Sequence, residues 1–307
     1  MLSHLTATLD RALPLAVPQA YTHKSNPGEV LLATWWQTGV DAYTITARWP
    51  ASHGFYRGRN GLHDPLLLSE TIRQTLPFLS HAAYDVPLGH QLLWQSFAWE
   101  LTPTALRAER GSDAEIELRI VCPEVTYRKN RAASIAMEVE ALRDGTLLGT
   151  ARTRFTIQDP AVYRRLRGPY ADMAAANAGA LPPARPMAPH RVGRESDRDV
   201  VLSPTGSTGC WELRADTSHP ILFDHPVDHA PGMLLIEAVR QAAQAANSPR
   251  PVVPVAMDLT FARYAELDTP CRFHAERLSP DALHIRAEQN GALIFTANVT
   301  VADVPRH

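Results

Sequence analysis

The chain has 307 residues, 45% of them hydrophobic, and a formal net charge of −2 at pH 7. Its length predicts about two domains, and this charge, with Lys and Arg scattered along the chain, argues against a nucleic-acid partner. No segment approaches the ~20 consecutive apolar residues that cross a bilayer, so neither membrane insertion nor secretion is expected.

The first half predicts two strands, a loop, one apolar helix and four more strands. Runs at 29–36 and 43–49 have strand character, and a turn-forming segment follows at 53–64. An apolar helix is expected from Pro65, and after it polar and apolar residues alternate in four segments, which indicates half-buried antiparallel strands. These segments are 92–101, 114–122, 133–142 and 146–157, with Asp144-Gly145 as a hairpin turn.

The second half repeats this order after a segment, 161–198, that is rich in Ala, Pro and Arg. Pro-Pro and Arg-Pro steps resist regular structure, so we interpret the segment as a linker. Two short strands, 199–203 and 209–216, precede a helix that starts near Pro231. Four strands follow at 255–264, 271–278, 282–288 and 292–301, with Asn290-Gly291 as a hairpin turn.

An internal repeat supports this division. Residues 65–74 read PLLLSETIRQ and residues 232–241 read GMLLIEAVRQ, so both copies have ExxRQ after an apolar triplet, at an offset of 167. A helix rich in Leu, Ile and Ala buries most of its surface when a curved antiparallel sheet wraps around it. We therefore predict an α+β tandem double hotdog fold, with domains at 1–160 and 199–307 and the two central helices side by side or antiparallel.

The densest set of chemical groups lies at 219–241, HPILFDHPVDHAPGMLLIEAVRQ. Asp228 can cap the helix, Pro231 suits its first turn, and Gly232 allows a ligand to approach the backbone closely. The amides at Gly232 and Met233 can then stabilise an oxyanion that develops on a thioester carbonyl, helped by the positive end of the helix dipole.

Glu237 and Arg240 lie three residues apart and therefore on one face of this apolar helix. Burying a carboxylate and a guanidinium for packing alone is costly, so both are catalytic candidates. We expect Glu237→Gln and Arg240→Ala to abolish activity with the fold intact. A purely structural ion pair is the alternative.

The run HPxxFDHPxDHxPGMLxxEAxRQA at 219–242 resembles the signature of the AfsA-like family, and the similarity extends to the first ExxRQ and to VYRRLRG at 162–168. It thus covers most of the chain. The resemblance implies transfer of a β-ketoacyl group from an acyl carrier protein thioester to the hydroxyl of dihydroxyacetone phosphate, which gives a γ-butyrolactone signal precursor. It implies no cofactor beyond the carrier's phosphopantetheine arm, which holds the acyl group.

In such a reaction an alcohol attacks a thioester and needs a general base, which Glu237 or His225 can supply. Arg240 can hold the phosphate or the β-keto oxygen with its fork of donors. Glu70 falls on the corresponding glutamate position of the first half and is a further catalytic candidate. Additional substrate contacts are expected from Asp228, His229, Gln241, Arg73 and His63.

The two halves are expected to be unequal, because Pro65 stands where the second copy has Gly232 and hinders close approach to the amides. The second half should then hold the thioester carbonyl, while Glu70 orients or deprotonates the acceptor across the interface. Alternatively, the first ExxRQ is a decayed copy that only packs.

Other functions stay open at this point. The same run is more distantly similar to the hotdog β-hydroxyacyl-carrier-protein dehydratases, with His225 and Glu237 in their catalytic roles, so a dehydratase or a thioesterase is a second hypothesis. A non-catalytic protein that binds an acyl ligand and has a regulatory role is a third, although binding an apolar tail needs no Glu and Arg in both halves. The histidines of 219–229 lack regular ligand spacing, so no metal is expected.

Cys122, Cys210 and Cys271 are far apart and form no CxxC pair, which argues against a zinc ribbon or a disulfide framework and fits a reducing cytoplasm. The expected partners are an acyl carrier protein and a small alcohol. Because two fused hotdogs mimic the usual dimer of this fold, both a monomer and a homodimer are possible.

Overall fold

The computed structural model describes residues 13–109 and 111–304. The first twelve residues, which the predicted first domain includes, therefore lie outside the described part, as do residues 305–307 of the second. Within the described part the backbone forms one antiparallel sheet and four α-helices.

The thirteen strands of the sheet are β1 (Leu15–Ala16), β2 (Leu32–Gly39), β3 (Ala42–Trp49), β4 (Gln91–Leu101), β5 (Ala114–Arg128), β6 (Arg131–Arg143), β7 (Thr146–Gln158), β8 (Leu202–Pro204), β9 (Cys210–Leu213), β10 (Val252–Phe261), β11 (Arg272–Ser279), β12 (Ala282–Gln289) and β13 (Ala292–Asp303). The α-helices are α1 (Leu66–Ala82), α2 (Pro160–Arg167), α3 (Met173–Ala178) and α4 (Gly232–Asn247). Short 3-10 turns occupy Gln19–Thr22, Pro27–Glu29, Pro103–Leu106, Gly168–Ala171, Pro189–Arg191 and Asp197–Asp199.

The strand order shows that the fold is duplicated. The sheet runs β1-β2-β3-β5-β6-β7-β4-β10-β13-β12-β11-β9-β8, so each half has the same order read outward from the centre. The two halves join where β4 pairs with β10, from Ser96 opposite Thr260 to Glu100 opposite Ala256. This arrangement confirms the predicted double hotdog.

The central helices α1 and α4 are buried along almost their whole length and contact each other. Inward-facing side chains of the strands, such as Ile45 and Phe155 in the first half and Ile285 and Phe295 in the second, are fully buried around them. Burial of a Phe or Ile side chain contributes roughly 1.5–3 kcal/mol, so wrapping the sheet around the helices is the main stabilising interaction of each half. No helix of the described part is long and apolar enough to cross a bilayer.

The hairpin turns lie where they were predicted. Asp144 and Gly145 join β6 to β7, and Asn290 and Gly291 join β12 to β13, all with φ between 51° and 73°. Two successive residues in the left-handed region match the right-handed twist of the adjoining strands. The sequence therefore indicated the register of both hairpins.

The expectation that 161–198 lacks regular structure is wrong. Asp159 caps α2 by accepting from the amide of Ala161, and Asp172 caps α3 in the same way. The last part of the segment belongs to the second hotdog, because the amide of Met187 donates to the carbonyl of Leu202. Capping residues at the start of two short helices outweighed the local Pro content.

Candidate active site

The ExxRQ repeat has the same local role in both halves. The side-chain amide of Gln74 donates to the carbonyl of Glu29 at 2.8 Å and accepts from the amide of Leu31 at 2.9 Å. Gln241 makes the equivalent bonds, to the carbonyl of Asp199 and from the amide of Val201. The glutamine thus links each central helix to the segment just before β2 or β8, which is a structural reason for its presence in both copies.

Glu237 lies in a sealed ionic cluster. Its side chain is 0% exposed and accepts hydrogen bonds from Arg194, Arg240 and Gln241. Burial alone would raise the pKa of Glu237, but the two guanidinium groups outweigh it and lower the pKa to about 2. Arg194 also donates to the carbonyl of Phe55 and stacks over its ring. A carboxylate that is so completely bonded is a poor proton acceptor.

Glu70 forms the equivalent cluster of the first half, with one difference. It accepts from Arg73 and Gln74 and pairs with Lys24, whose Nζ lies 3.4 Å from Oε1. Burial opposes ionisation here too, but Arg73 and Lys24 lower the pKa of Glu70 to about 2. However, the side chain of Arg73 is 22% exposed, whereas that of its counterpart Arg240 is 9% exposed. The first-half cluster is therefore open to a cavity.

This cavity has a volume of about 460 Å³ and lies between the two halves. The first half contributes a polar wall, and the second half contributes the loop before α4 together with the start of that helix. The polar wall consists of His23, Lys24, Glu70 and Arg73. Apolar side chains cover much of the rest, namely Leu76, Leu92, Trp94, Ile221, Leu222, Val227, Met233, Leu235 and Phe261. A concave, mostly apolar site with a few convergent polar groups is typical of a small-molecule pocket.

Positive charge exceeds negative charge on the cavity wall. Lys24, Arg73 and Arg263 line it, together with the carboxylates of Glu70 and Asp224. Nη1 of Arg73 makes no hydrogen bond within the described residues and is not buried, so two N–H donors are available to a ligand. The wall thus favours an anion.

The start of α4 supplies a second group of donors. The amides of Gly232 and Met233 have no acceptor among residues 13–109 and 111–304, as expected for the first turn of a helix. Both residues line the cavity. Together with the helix dipole these amides can stabilise a developing oxyanion.

One predicted detail of this helix start is wrong. Asp228 does not cap α4; Pro231 is the capping residue, and no side chain among the described residues bonds to the first amides. The space beside Gly232 is taken by Trp94, because a β-carbon on Gly232 would lie 2.7 Å from Cε3 of that indole. Pro65 occupies the position of Gly232, because the amide of Leu67 donates to the carbonyl of Asp64 as the amide of Leu234 donates to the carbonyl of Pro231.

Replacing Gly232 with alanine is therefore expected to destabilise the protein by ~1–3 kcal/mol, because the indole of Trp94 has to move. Urea unfolding measures the loss. Gly54→Ala is the matched control, since no atom lies within 4 Å of its added methyl group. Equal changes in the two variants would contradict the packing role of Gly232.

The structure separates the predicted site residues into two groups. His225, His229, Gly232, Met233, Glu70 and Arg73 line the cavity, whereas Glu237, Arg240, Gln241, Asp228 and His63 do not. His63 is buried edge-on against Trp49, and burial lowers its pKa to about 4. The loop of the second half thus meets the glutamate of the first half and not its own Glu237.

Contacts of two cavity residues, His23 and Lys24, were not predicted. The Nε2 atoms of His23 and His81 lie 2.9 Å apart, and burial, with His81 and Arg73 nearby, lowers the pKa of His23 to about 4. Lys24 stands where the second half has Arg194. A weak second repeat, between 17–32 and 187–202, was the only sequence signal for Lys24 and Arg194.

A larger depression, of about 700 Å³, lies on strands of both halves. It contains none of the predicted site residues, and its wall carries Glu100, Glu138, Glu140 and Asp258 beside two arginines. Its net negative charge disfavours an anionic substrate. No cluster of three His, Cys, Asp or Glu side chains suited to a metal ion occurs in the described part of the chain.

Comparison with known proteins gives consistent matches. The family model of the A-factor biosynthesis hotdog domain, AfsA, matches residues 5–159 and 175–304. A Streptomyces virginiae protein named 2-oxo-3-(phosphooxy)propyl 3-oxoalkanoate synthase is 43% identical, over 85% of this chain and 87% of its own length. A Streptomyces coelicolor protein of the same name is 38% identical, over 93% of this chain and 91% of its own length.

Solved structures resemble the chain in fold. An acyl-ACP thioesterase from Bacteroides thetaiotaomicron aligns with a TM-score of 0.51 and 12% identity, over 84% of this chain and 98% of that one. A 12:0-ACP thioesterase from Umbellularia californica aligns with a TM-score of 0.53 and 10% identity, over 85% and 98% of the two chains. At these identities the likeness shows the fold alone.

Proposed function

Since the chain belongs to the A-factor biosynthesis hotdog family, we propose that it is an acyltransferase that moves a 3-oxoacyl group from a thioester to the hydroxyl of dihydroxyacetone phosphate. The product is the 2-oxo-3-(phosphooxy)propyl ester after which the curated relatives are named, a γ-butyrolactone precursor. One observation carries the proposal: a single cavity combines free amides at a helix start, an apolar wall and an unoccupied guanidinium nitrogen.

The donor occupies the second-half side of the cavity. Its carbonyl oxygen accepts from the amides of Gly232 and Met233, where the helix dipole stabilises the negative charge of the tetrahedral intermediate. The alkyl part of the acyl chain packs on the apolar wall, which includes Trp94 and Phe261. Hydrogen bonds that strengthen as charge develops accelerate the reaction, in contrast to uniform binding.

The acceptor occupies the first-half side. Nη1 of Arg73 donates to the phosphate, and Lys24 and Arg263 contribute positive charge. Glu70 does not take up the proton in this assignment; it holds Arg73 and Lys24 in place. Arg240, which the sequence suggested as a ligand of the phosphate or the β-keto oxygen, is 8% exposed and does not line the cavity.

The thioester arrives on an acyl carrier protein in this proposal. α2 exposes Arg164, Arg165 and the apolar Leu166, while its other face contacts the loop before α4. An exposed basic and apolar surface next to the cavity suits an acidic carrier, because complementary charge speeds association. A cytoplasmic location is part of the proposal and fits three cysteines that form no disulfide.

Product analysis tests the proposed function. The purified chain is incubated with a 3-oxoacyl carrier protein, with and without dihydroxyacetone phosphate, and the products are identified by mass spectrometry. The proposal predicts the phosphorylated ester only when both substrates are present. Free 3-oxo acid as the sole product indicates a thioesterase. In a parallel incubation with a 3-hydroxyacyl carrier protein, an enoyl thioester indicates a dehydratase. Either result, or no product, contradicts the proposal.

A further inference from the structure

We propose that His229, oriented by Asp228, is the general base that removes the proton from the acceptor hydroxyl. The inference rests on the proposed acyl transfer and deepens it by assigning a catalytic residue. Neither ExxRQ glutamate suits this role, because Glu70 and Glu237 are each held by two cationic side chains and a glutamine amide. The base therefore has to come from another part of the cavity.

The contact between His229 and Asp228 determines which ring nitrogen is basic. Nδ1 of His229 lies 2.6 Å from Oδ1 of Asp228. Burial would raise the pKa of Asp228, but hydrogen bonds from His229, Tyr163 and Arg167 hold it well below its usual range, so the carboxylate only accepts. Nδ1 consequently carries the proton, and the lone pair of the neutral ring is on Nε2.

Nε2 is free to react. It makes no hydrogen bond within the described residues and is not buried, and the side chain of His229 is 25% exposed on the cavity wall. The ring packs edge-on against Tyr264, at 4.8 Å between centroids, which limits its rotation. His229 also lies three residues before Gly232, on the same wall as the proposed oxyanion donors.

Asp228 is itself rigidly held by α2. The hydroxyl of Tyr163 donates to both of its carboxylate oxygens at 2.8 and 2.7 Å, and Nε of Arg167 donates to Oδ2 at 3.0 Å. Arg167 is fixed in turn by Glu266 and by stacking over Tyr264. An acidic group that orients a histidine and is buried with its own donors is the arrangement that stabilises an imidazolium ion.

The other histidines of the cavity are less suited. Nδ1 of His225 is 3.5 Å from Asp224, whose oxygens already accept from the amides of Ser25 and Asn26. The His225 side chain is also 47% exposed, so its position is weakly defined. His23 directs Nε2 at His81 and pairs with no carboxylate of the described part of the chain.

The transfer then balances without a further reactant. Nε2 of His229 takes the hydroxyl proton as the acceptor oxygen bonds to the thioester carbon, and the carbonyl electron pair moves onto its oxygen. When that pair returns, the C–S bond breaks and the thiolate leaves with the bonding electrons. The imidazolium ion returns its proton to the sulfur, which regenerates the neutral histidine.

Kinetics of His229→Ala, with imidazole rescue, test the assignment. We expect kcat to fall by about 10²–10⁴-fold, with KM for both substrates within about threefold of wild type. Added imidazole should restore kcat by at least about tenfold, because it can occupy the vacated space and accept the proton. Asp228→Asn, at a positioning residue, should lower kcat by more than about tenfold with little change in either KM.

The outcomes separate this inference from the proposed function. Wild-type protein that makes no ester overturns both. If the wild-type protein makes the ester, two results for His229→Ala overturn the inference alone. One is a variant that keeps the wild-type rate, and the other is an inactive variant whose activity imidazole does not restore. A rate loss in His225→Ala that imidazole rescues, with His229→Ala unaffected, makes His225 the base and likewise overturns it.

Discussion

Replacing Arg73 with alanine is expected to lower kcat/KM for dihydroxyacetone phosphate by about 10²-fold, mainly through KM. A hydrogen bond to a charged group contributes about 1.5–3 kcal/mol, and Nη1 of Arg73 offers two donors to the phosphate. Dihydroxyacetone, which lacks the phosphate, should lose less than about tenfold, because it makes no use of this guanidinium. Initial rates over a range of acceptor concentrations measure both values.

Arg73→Lys is the informative second variant. Lysine keeps the positive charge but lacks the planar fork with which Nε and Nη2 bond Glu70 while Nη1 remains for a phosphate. We expect it to recover only part of the lost affinity. A lysine variant with the wild-type KM would mean that the phosphate is attracted by charge alone and is not held by Nη1.

Replacing Glu237 with glutamine is expected to lower the free energy of unfolding by about 3–5 kcal/mol, because Arg194 and Arg240 then lose their buried counter-charge. This revises the expectation from sequence that the variant loses activity with its fold intact. Glu70→Gln is the matched control, and its cost should be smaller because Arg73 is partly exposed to the cavity. Urea unfolding at neutral pH measures both.

Acid unfolding provides a second test of the same ionic cluster. The pKa of Glu237 is lowered from 4.5 to about 2 in the folded chain, so its stabilising contribution is complete above pH 4.5 and is lost as the pH falls from 4.5 to 2. Glu237→Gln should therefore lose less stability than wild type across this window. An unchanged pH dependence, or a stability equal to that of wild type at neutral pH, would contradict the buried ion pair.

The fold could be predicted in detail because its signals are local. Alternating polarity set the strands, Asp144-Gly145 and Asn290-Gly291 set two hairpins, and the repeat showed that the architecture is duplicated. The Pro content of residues 161–198 predicted an irregular linker, but Asp159 and Asp172 cap two short helices there. Its end, which contains Arg194, proved to be part of the second hotdog and of the Glu237 cluster.

The site was predicted less completely, for a geometric reason. Gly232 and Glu237 are close in sequence, but five residues turn a helix by about 500°, which leaves their side chains about 140° apart. Gly232 therefore lines the cavity, while Glu237 faces Arg194 in the segment before β8. The contact between Glu70 and the loop of the second half depends on how the two hotdogs pack against each other, and no single segment of sequence predicts that packing.

The resemblance at 162–168 was noticed, but the role of Tyr163 and Arg167 in holding Asp228 depends on contacts between residues about 60 positions apart in the chain.

One cavity that binds the thioester beside α4 and the phosphate at Arg73 is the central claim, and a competition assay tests it most directly. Equal concentrations of dihydroxyacetone phosphate and dihydroxyacetone compete for one 3-oxoacyl donor, and mass spectrometry gives the ratio of the two esters. This ratio does not depend on the fraction of folded enzyme. We predict that the phosphorylated ester exceeds the other by about 10²-fold in wild type and in Arg240→Ala, and that Arg73→Ala brings the ratio to within about tenfold of one. A ratio that stays near 10²-fold in Arg73→Ala, or that falls to within about tenfold of one in Arg240→Ala instead, would contradict binding of the phosphate at Arg73.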